Sequence, residues 1–132
     1  MSKIQIVQLV YCLAILLAGC SAQGELEQRT RRHFEIPASQ QVSAATIRSA
    51  ILNGAPLGSS PKQVYAYLER RGIGKDDLSS YYPLSEKGEI VCRVEYNPKT
   101  LDVVKNGFGV FFIMDHDKKL KDIQVQEWRT GL

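Results

Sequence analysis

The spacing of hydrophobic and polar residues changes twice along this chain, and each change predicts a different kind of element. Residues 9–18 form an unbroken apolar run. Apolar residues then recur at helical spacing between residues 43 and 73, and they alternate with polar residues in much of 89–128. A period near 3.6 is typical of helices, and a period of two is typical of half-buried strands. The pattern therefore predicts an apolar N-terminal segment followed by an α+β domain.

Two helices are predicted in the first half of this domain. The first spans residues 43–52 and ends at Gly54. The second begins at Ser60, whose side chain is expected to form a capping box with Gln63, and it ends at Gly72, a residue type that tolerates the left-handed backbone of a helix end. The side chains expected to face the core are Ala44, Ile47, Ile51, Val64, Tyr67 and Leu68.

Three strands are predicted after a polar loop at residues 74–88. They span residues 89–96, 108–114 and 120–128, where apolar residues alternate with polar ones or form a short continuous run. In the first strand, one face carries Ile90, Cys92, Val94 and Tyr96, and the other carries Val91, Arg93 and Glu95. In the third strand, Ile123 and Val125 are expected to face the core.

The stretch Thr100–Lys105 allows two interpretations. Asn106-Gly107 is typical of a two-residue hairpin turn, which would make residues 101–104 a fourth strand. We favour a loop that extends the connection between the first and second strands. The element order then predicts an α+β domain over residues 42–132, with two N-terminal helices packed on one face of a three-stranded antiparallel sheet.

The N-terminal apolar run predicts export from the cytoplasm. Its ten residues are too few to span about 30 Å of hydrocarbon, which takes about 20 residues. A basic start, a short apolar run and small residues at its end are typical of a secretory signal peptide. The sequence Leu17-Ala18-Gly19-Cys20 matches the lipobox of bacterial lipoproteins, so residues 1–19 resemble a lipoprotein signal peptide. The resemblance implies cleavage before Cys20 and a covalent lipid on its sulfur; the alternatives are an ordinary signal peptide or an anchor helix.

The residues after this segment predict a location and a tether. Ser21, directly after the lipid-bearing cysteine, resembles the pattern that enteric-type bacteria sort to the outer membrane, so we expect the protein in the bacterial envelope, at the outer membrane and facing the periplasm. Residues 20–41 contain few apolar side chains and are expected to form a flexible tether. The basic run at residues 29–33 either attracts anionic headgroups or is simply solvated, since neighbouring glutamates offset it.

Composition and charge narrow the function further. A chain of 132 residues has room for one domain, and its 44% hydrophobic and 23% charged residues are ordinary for a folded protein. A net charge of +3 is too small to indicate nucleic-acid binding. Cys12 lies in the signal segment and Cys20 is the lipid acceptor, which leaves Cys92 without a partner for an intramolecular disulfide.

The sequence contains no motif that predicts catalysis. We find no HExxH, GxSxG, phosphate-binding loop or CxxC pair. A nucleophilic cysteine needs an exposed thiolate beside a base, whereas the apolar neighbours of Cys92 predict a core position. The turn Asp115-His116-Asp117 is expected to be solvated rather than metal-binding, because adjacent side chains on a tight turn project apart. We therefore expect no enzyme activity, no metal and no cofactor other than the covalent lipid on Cys20.

Three aromatic residues are candidates for contact with a partner protein. Tyr81 and Tyr82 lie in the polar loop, and Trp128 faces away from the predicted core positions Ile123 and Val125. Tyr and Trp are enriched at interfaces because they combine apolar area with a polar group. For each of the three residues, packing on the domain itself is the alternative.

One stretch of the second helix resembles a known family. Residues 57–68, LGSSPKQVYAYL, resemble the second-helix signature of the SmpA/OmlA family, the BamE-like lipoproteins. The lipobox, the tether and the element order match that family, and residues 112–120, FIMDHDKKL, resemble its hairpin. The resemblance implies a lipid anchor and a partner in outer-membrane protein assembly. The same two-helix, three-strand unit is similar to each half of the β-lactamase inhibitor protein, which binds an enzyme and is not one.

The sequence therefore predicts a non-catalytic, lipid-anchored periplasmic lipoprotein that binds or scaffolds an envelope protein, with a role in outer-membrane assembly or envelope maintenance. The alternative is an inhibitor or immunity-type protein that binds a periplasmic or secreted enzyme. Neither function involves nucleic acid or a small-molecule substrate.

Overall fold

The structure, a computed structural model, describes residues 24–76, 78–96 and 105–130. This part of the chain forms three helices and a four-stranded antiparallel sheet. The helices are α1 (24–34), α2 (Ala44–Gly54) and α3 (Pro61–Arg70), and the strands are β1 (Ser79–Tyr82), β2 (Glu89–Tyr96), β3 (Lys105–Met114) and β4 (Leu120–Thr130). The predicted α+β class is confirmed, although the predicted two helices and three strands are each one too few.

Both predicted helices form where the capping residues place them. At the start of α3, the Gln63 N–H donates to Ser60 Oγ (3.2 Å) and the Ser60 N–H donates to Gln63 Oε1 (2.8 Å), which closes the expected capping box. After α3, Gly72 adopts a φ of +78°, and the Ile73 N–H donates to the Leu68 carbonyl (3.0 Å). This hydrogen bond is typical of a Schellman motif, and it confirms Gly72 as the helix stop.

The sheet follows the order β1-β2-β3-β4, so neighbours in the sheet are neighbours in the chain. β1 lies in the segment 74–88, for which the sequence predicted only a loop. It pairs with β2 from Ser79 opposite Val94 to Tyr82 opposite Val91. The polar sequence SSYY lacks the apolar alternation of a strand, and backbone pairing to β2 makes it one.

β3 is longer than its apolar run predicted. It begins at Lys105, so Asn106 and Gly107 lie within the strand and pair with Arg129 and Trp128 of β4. The hairpin-turn interpretation of Asn106-Gly107 is therefore wrong, while residues 97–104 lie outside the described ranges.

The core lies between the helices and one face of the sheet. The alternation predicted for β2 is confirmed, since Ile90, Cys92 and Val94 are fully buried. Residues of all three helices join them in one hydrophobic cluster. The largest fully buried side chains of the other elements are Ile47, Ile51, Val64, Leu68, Val110, Phe112, Leu120 and Ile123.

The expected tether is wrong over residues 24–41, because this segment carries α1 and packs into the core. Leu26, Phe34 and Ile36 are 7%, 2% and 5% exposed. Thr30 lies on the same helical face as Leu26 and is fully buried, and its hydroxyl donates to the Leu26 carbonyl (2.7 Å). A buried Thr with a satisfied hydroxyl replaces the apolar residue that a hydrophobic pattern would have shown.

α1 is attached to the end of α3 by polar contacts as well. His33 Nδ1 donates to the Arg71 carbonyl (2.8 Å), and Arg29 Nη1 pairs with the Asp76 carboxylate (3.0 Å). Arg31 donates to the carbonyl oxygens of Pro37 and Gln40 at 2.6 and 2.7 Å. Arg29 and Arg31, two of the basic residues at 29–33, thus already have partners within the protein, which favours the solvated interpretation of this run over binding to anionic headgroups.

Candidate interaction surface

The two faces of the sheet differ in what covers them. One face carries the core. We call the other the open face; the register places Tyr82, Val91, Arg93, Phe111 and Trp128 on it. Of these side chains Tyr82 and Arg93 are exposed and the other three are half-buried. Large side chains on an accessible sheet face make it the first candidate for a binding surface.

A shallow groove of about 330 Å³ lies in the open face. Its lining combines two apolar side chains, one indole, one amide and two opposite charges: Val91, Phe111, Trp128, Gln126, Arg93 and Glu95, with Gly109 at its floor. These residues come from β2, β3 and β4, so the groove exists only when the strands are in register. Aromatic residues and arginine are the side chains enriched at protein interfaces.

Trp128 lies across the middle of the groove because β3 carries two glycines beneath it. A Cβ atom at Gly107 would be 2.5 Å from Trp128 Cζ2, and one at Gly109 would be 3.1 Å from Cζ3. Both glycines point to the open face, opposite the buried Phe108. The missing side chains let the indole lie against the strand. The prediction that Trp128 faces away from Ile123 is confirmed. The spacing of Gly107 and Gly109, two positions apart on one strand face, is the sequence signal that could have indicated room for a large side chain there.

Tyr82 lies at the β1 end of the same face. Its side chain is 53% exposed, and the Arg93 guanidinium lies 5.6 Å from the centre of its ring. A cation–π contact at an exposed site contributes about 0.5–1 kcal/mol, so it orients both side chains without burying them. Tyr82 and Arg93 thus extend the surface of the groove to the sheet edge.

Tyr81 points to the opposite face, toward α3. Its ring stacks on Tyr65 with centroids 5.9 Å apart, and its hydroxyl donates to Glu69 Oε1 (3.2 Å). Desolvation and this hydrogen bond raise the pKa of Tyr81. Because neighbouring strand residues alternate between faces, only one of the two tyrosines lies on the open face, and these contacts favour packing for Tyr81.

Cys92 lies among the core side chains. It is 0% exposed, and burial raises the pKa of its thiol from 9.0 to about 12. At neutral pH the side chain is therefore a protonated thiol that packs as a small apolar group.

The turn between β3 and β4 carries its polar side chains at the surface, where His116 Nε2 lies 3.4 Å from Asp117 Oδ2. The Asp115 carboxylate accepts the N–H groups of Asp117 (2.9 Å) and Lys119 (3.0 Å), and the bond from Lys119 contributes most to lowering the pKa of Asp115. The His116 side chain is 91% exposed. Within the described ranges, no three His, Cys, Asp or Glu side chains come close enough together to hold a metal.

A second groove, of about 420 Å³, lies between the end of α2 and the start of α3. Leu57 at its rim is 54% exposed, and Gln63, Ala66 and Arg70 form one wall. It is the larger cavity, but its lining is mostly small side chains and backbone, and it contains no aromatic residue. The open face is therefore the stronger candidate for recognition.

The predicted lipid attachment at Cys20 and the signal segment 1–19 lie outside the described residues. Among the helices that are described, none has the length and apolar composition needed to cross a bilayer.

Comparison of the chain with protein-family models, with curated proteins and with solved structures finds no match. Function is therefore inferred from the N-terminal sequence and from the residues of the open face.

Proposed function

We propose that this protein is a non-catalytic, lipid-anchored lipoprotein of the bacterial envelope that binds a partner protein through the open face of its sheet. The observation that carries the proposal is the groove in that face, in which Trp128 and Phe111 lie beside Arg93. Neither of the two reactive groups singled out in the sequence favours a catalytic function over binding, because the Cys92 thiol is buried and His116 lies on a solvated turn.

The chemistry of the groove suits a protein partner better than a small metabolite. It is open and shallow, and its apolar and aromatic side chains carry one charge of each sign. Small-molecule sites enclose most of their ligand, whereas protein interfaces combine aromatic anchors with a polar rim. Trp128 is the natural anchor, because the glycines beneath it leave room for its indole to lie against the strand in the groove.

Anchoring rests on the sequence Leu17-Ala18-Gly19-Cys20. Each buried CH₂ group of a lipid contributes about 0.8 kcal/mol, so two or more acyl chains hold a small domain firmly. Ser21 and the resemblance to the SmpA/OmlA lipoproteins extend the proposal to the periplasmic side of the outer membrane and to a partner in outer-membrane assembly.

The anchoring proposal is tested by Cys20→Ala. We expect the variant to leave the membrane fraction and to lose incorporation of labelled palmitate, because no other residue offers the acceptor thiol of a lipobox. Cys92→Ala is the matched control, and it should stay membrane-bound. Retention of both lipid and membrane association in Cys20→Ala would overturn the anchor.

The binding proposal is tested by photo-crosslinking in cells. A photoreactive phenylalanine analogue replaces Phe111 in the groove, and the same analogue replaces Glu86 in the exposed β1–β2 turn as a control. We expect a discrete product from position 111 that Trp128→Ala reduces, and none from position 86. A crosslinked hydrolase would support the inhibitor function instead of assembly, and equal products from both positions would contradict a specific role for the groove.

A further inference from the structure

β4 forms one edge of the sheet, and the first half of that edge is covered by the protein itself. The segment between α2 and α3 crosses the start of the strand. The Gly58 N–H donates to the Leu120 carbonyl (2.7 Å), and the Leu120 N–H donates to the Ser59 carbonyl (2.8 Å). These two bonds satisfy the edge groups of Leu120 as a paired strand would.

The next outward-facing residue, Ile123, is covered by side chains. Arg48 of α2 donates from Nε to the Ile123 carbonyl (3.0 Å), and the Ile123 N–H donates to Asp122 Oδ1 (2.8 Å). A second bond between Arg48 and Asp122 (3.2 Å) connects the two covering groups. Natural proteins protect sheet edges in this way because an unpaired strand invites another strand to pair with it.

Among the residues that the structure describes, none gives the second half of the β4 edge this protection. Outward-facing backbone groups alternate along an antiparallel edge strand, so those of Val125 and Glu127 point the same way as those of Ile123. Between the residues that the structure describes, no hydrogen bond reaches the outward groups of Val125 or Glu127. The Glu127 side chain is exposed. This half of the edge also borders the groove, since Gln126 and Trp128 line it.

We propose that the half-edge from Val125 to Glu127 accepts an extended segment of the partner protein as a fifth strand, with a basic side chain of that segment against Glu127. The inference rests on the proposed function and names the form of the partner. In strand addition, backbone hydrogen bonds supply affinity and alternate side chains supply specificity. One row of the added segment would face the groove beside Trp128, and the other row would lie beside Val125 and Glu127.

The charge on this half-edge indicates what the segment carries. Glu127 is the charged side chain described there, and Asp122, the nearest acidic neighbour along the strand, is already paired with Arg48. A lysine or arginine directly across from Glu127 is therefore favoured. A second copy of this chain fits less well. Pairing two β4 strands so that Val125 faces Glu127 of the other copy gives Glu127 an apolar partner and a second glutamate diagonally across, so neither glutamate gains an opposite charge.

A synthetic strand provides the test. The probe is an eight-residue, tryptophan-free peptide of alternating valine and threonine with one central lysine, titrated into the full-length protein in detergent. Trp128 is the single tryptophan of the chain, so its fluorescence reports binding directly. We expect a saturable change, because the added strand lies beside the indole.

Two N-methylated peptides separate strand addition from simple contact with the groove. When the peptide lysine lies across from Glu127, the backbone N–H groups of the lysine and of the peptide residues two positions to either side face β4. The N–H groups of the peptide residues between them face outward. Methylating the inward set should weaken binding by at least about tenfold, since several hydrogen bonds are lost. Methylating the outward set is the matched control, and it should leave the affinity nearly unchanged.

A charge swap fixes the position of the segment. We expect Glu127→Lys to weaken binding of the lysine peptide and to favour a peptide with glutamate in its place, whereas Glu86→Lys at the other end of the sheet should do neither. Equal effects of the two methylation patterns, or no saturable change, would overturn strand addition. So would a concentration-dependent dimer that Glu127→Lys alters, because a second copy would then occupy the edge. If strand addition fails while the crosslink from position 111 persists, the proposed function survives without it.

Discussion

At the scale of single residues, the candidate surface depends on two glycines, whose lack of a side chain makes room for Trp128. Gly107 and Gly109 lie on the open face of β3, and Trp128 fills the space above them. A glycine in a strand interior usually weakens it, by about 0.5–1 kcal/mol relative to alanine. Two such glycines beneath one indole indicate that the position of the tryptophan is worth this cost.

We expect the effect of Gly109→Ala on the free energy of unfolding to depend on Trp128 and to change sign when Trp128 is removed. Its Cβ would lie 3.1 Å from Trp128 Cζ3 but 3.5 Å, an ordinary contact distance, from Phe111 Cε2. The substitution should therefore destabilise the protein by about 1 kcal/mol when Trp128 is present and stabilise it by about 0.5 kcal/mol in Trp128→Ala, where only the gain over glycine remains. Urea unfolding followed by circular dichroism measures both.

Gly107→Ala provides the contrast. Its Cβ would lie 2.7 Å from the Val94 carbonyl oxygen as well as close to the indole. Removing Trp128 leaves the backbone clash, so we expect a loss of at least about 2 kcal/mol in both backgrounds. If the two glycines respond alike to Trp128→Ala, the indole does not lie where the structure places it.

At the scale of elements, patterns with strong local signals were predictable and patterns without them were not. The bounds of β2 and the caps of α3 match the prediction, because alternation and capping boxes depend on residues close in sequence. α1 and β1 carry little apolar alternation of their own. Burial of Thr30 in α1 and backbone pairing of Ser79 in β1 depend on distant partners that no local window contains.

Phe34→Ala tests whether α1 belongs to the folded domain. Its side chain is 2% exposed within the core cluster, so we expect a loss of about 3–4 kcal/mol in the free energy of unfolding. Arg32→Ala, two positions earlier on an exposed part of α1, is the control and should stay within about 0.5 kcal/mol of the parent protein. Equal, small effects would mean that residues 24–41 behave as the tether that the sequence first predicted.

At the scale of the whole molecule, two buried ionisable groups of the core are expected to make the protein less stable as the pH becomes alkaline. Burial raises the pKa of the Cys92 thiol to about 12, and desolvation raises that of Tyr67 to about 12 despite the opposing charge of Arg71. Both groups are neutral when the protein is folded and release their protons more readily when it is unfolded. The unfolded state therefore gains stability as the pH rises.

We expect Cys92→Ala to flatten this dependence. In the parent protein the contribution of Cys92 is complete below about pH 9 and is lost as the pH rises toward 12, by on the order of 2 kcal/mol at pH 10.5. The variant has a lower stability at pH 8 because it removes a buried sulfur, but it should lose less between pH 8 and 10.5. Urea unfolding at both values measures the difference, and parallel losses in the two proteins would contradict the buried-thiol account.

The position of α1 along the chain limits how far the domain could lie from the proposed anchor. The first described residue of α1 is Gly24, four positions after Cys20. Four extended residues span at most about 14 Å, so a lipid on Cys20 would hold the domain close to the bilayer. The partner would then meet the open face at the membrane surface rather than at the end of a long tether.

The sequence by itself determined the elements with local signals, the orientation of Trp128 away from the core and the N-terminal pattern on which anchoring rests. Each of these depends on residues within a few positions of one another, where spacing fixes geometry. Only the tertiary structure decided that residues 24–41 fold, that Tyr81 and Tyr82 belong to opposite surfaces of a strand, and that three strands build one groove. These features arise from backbone pairing and burial between residues far apart in the chain, which spacing alone does not encode.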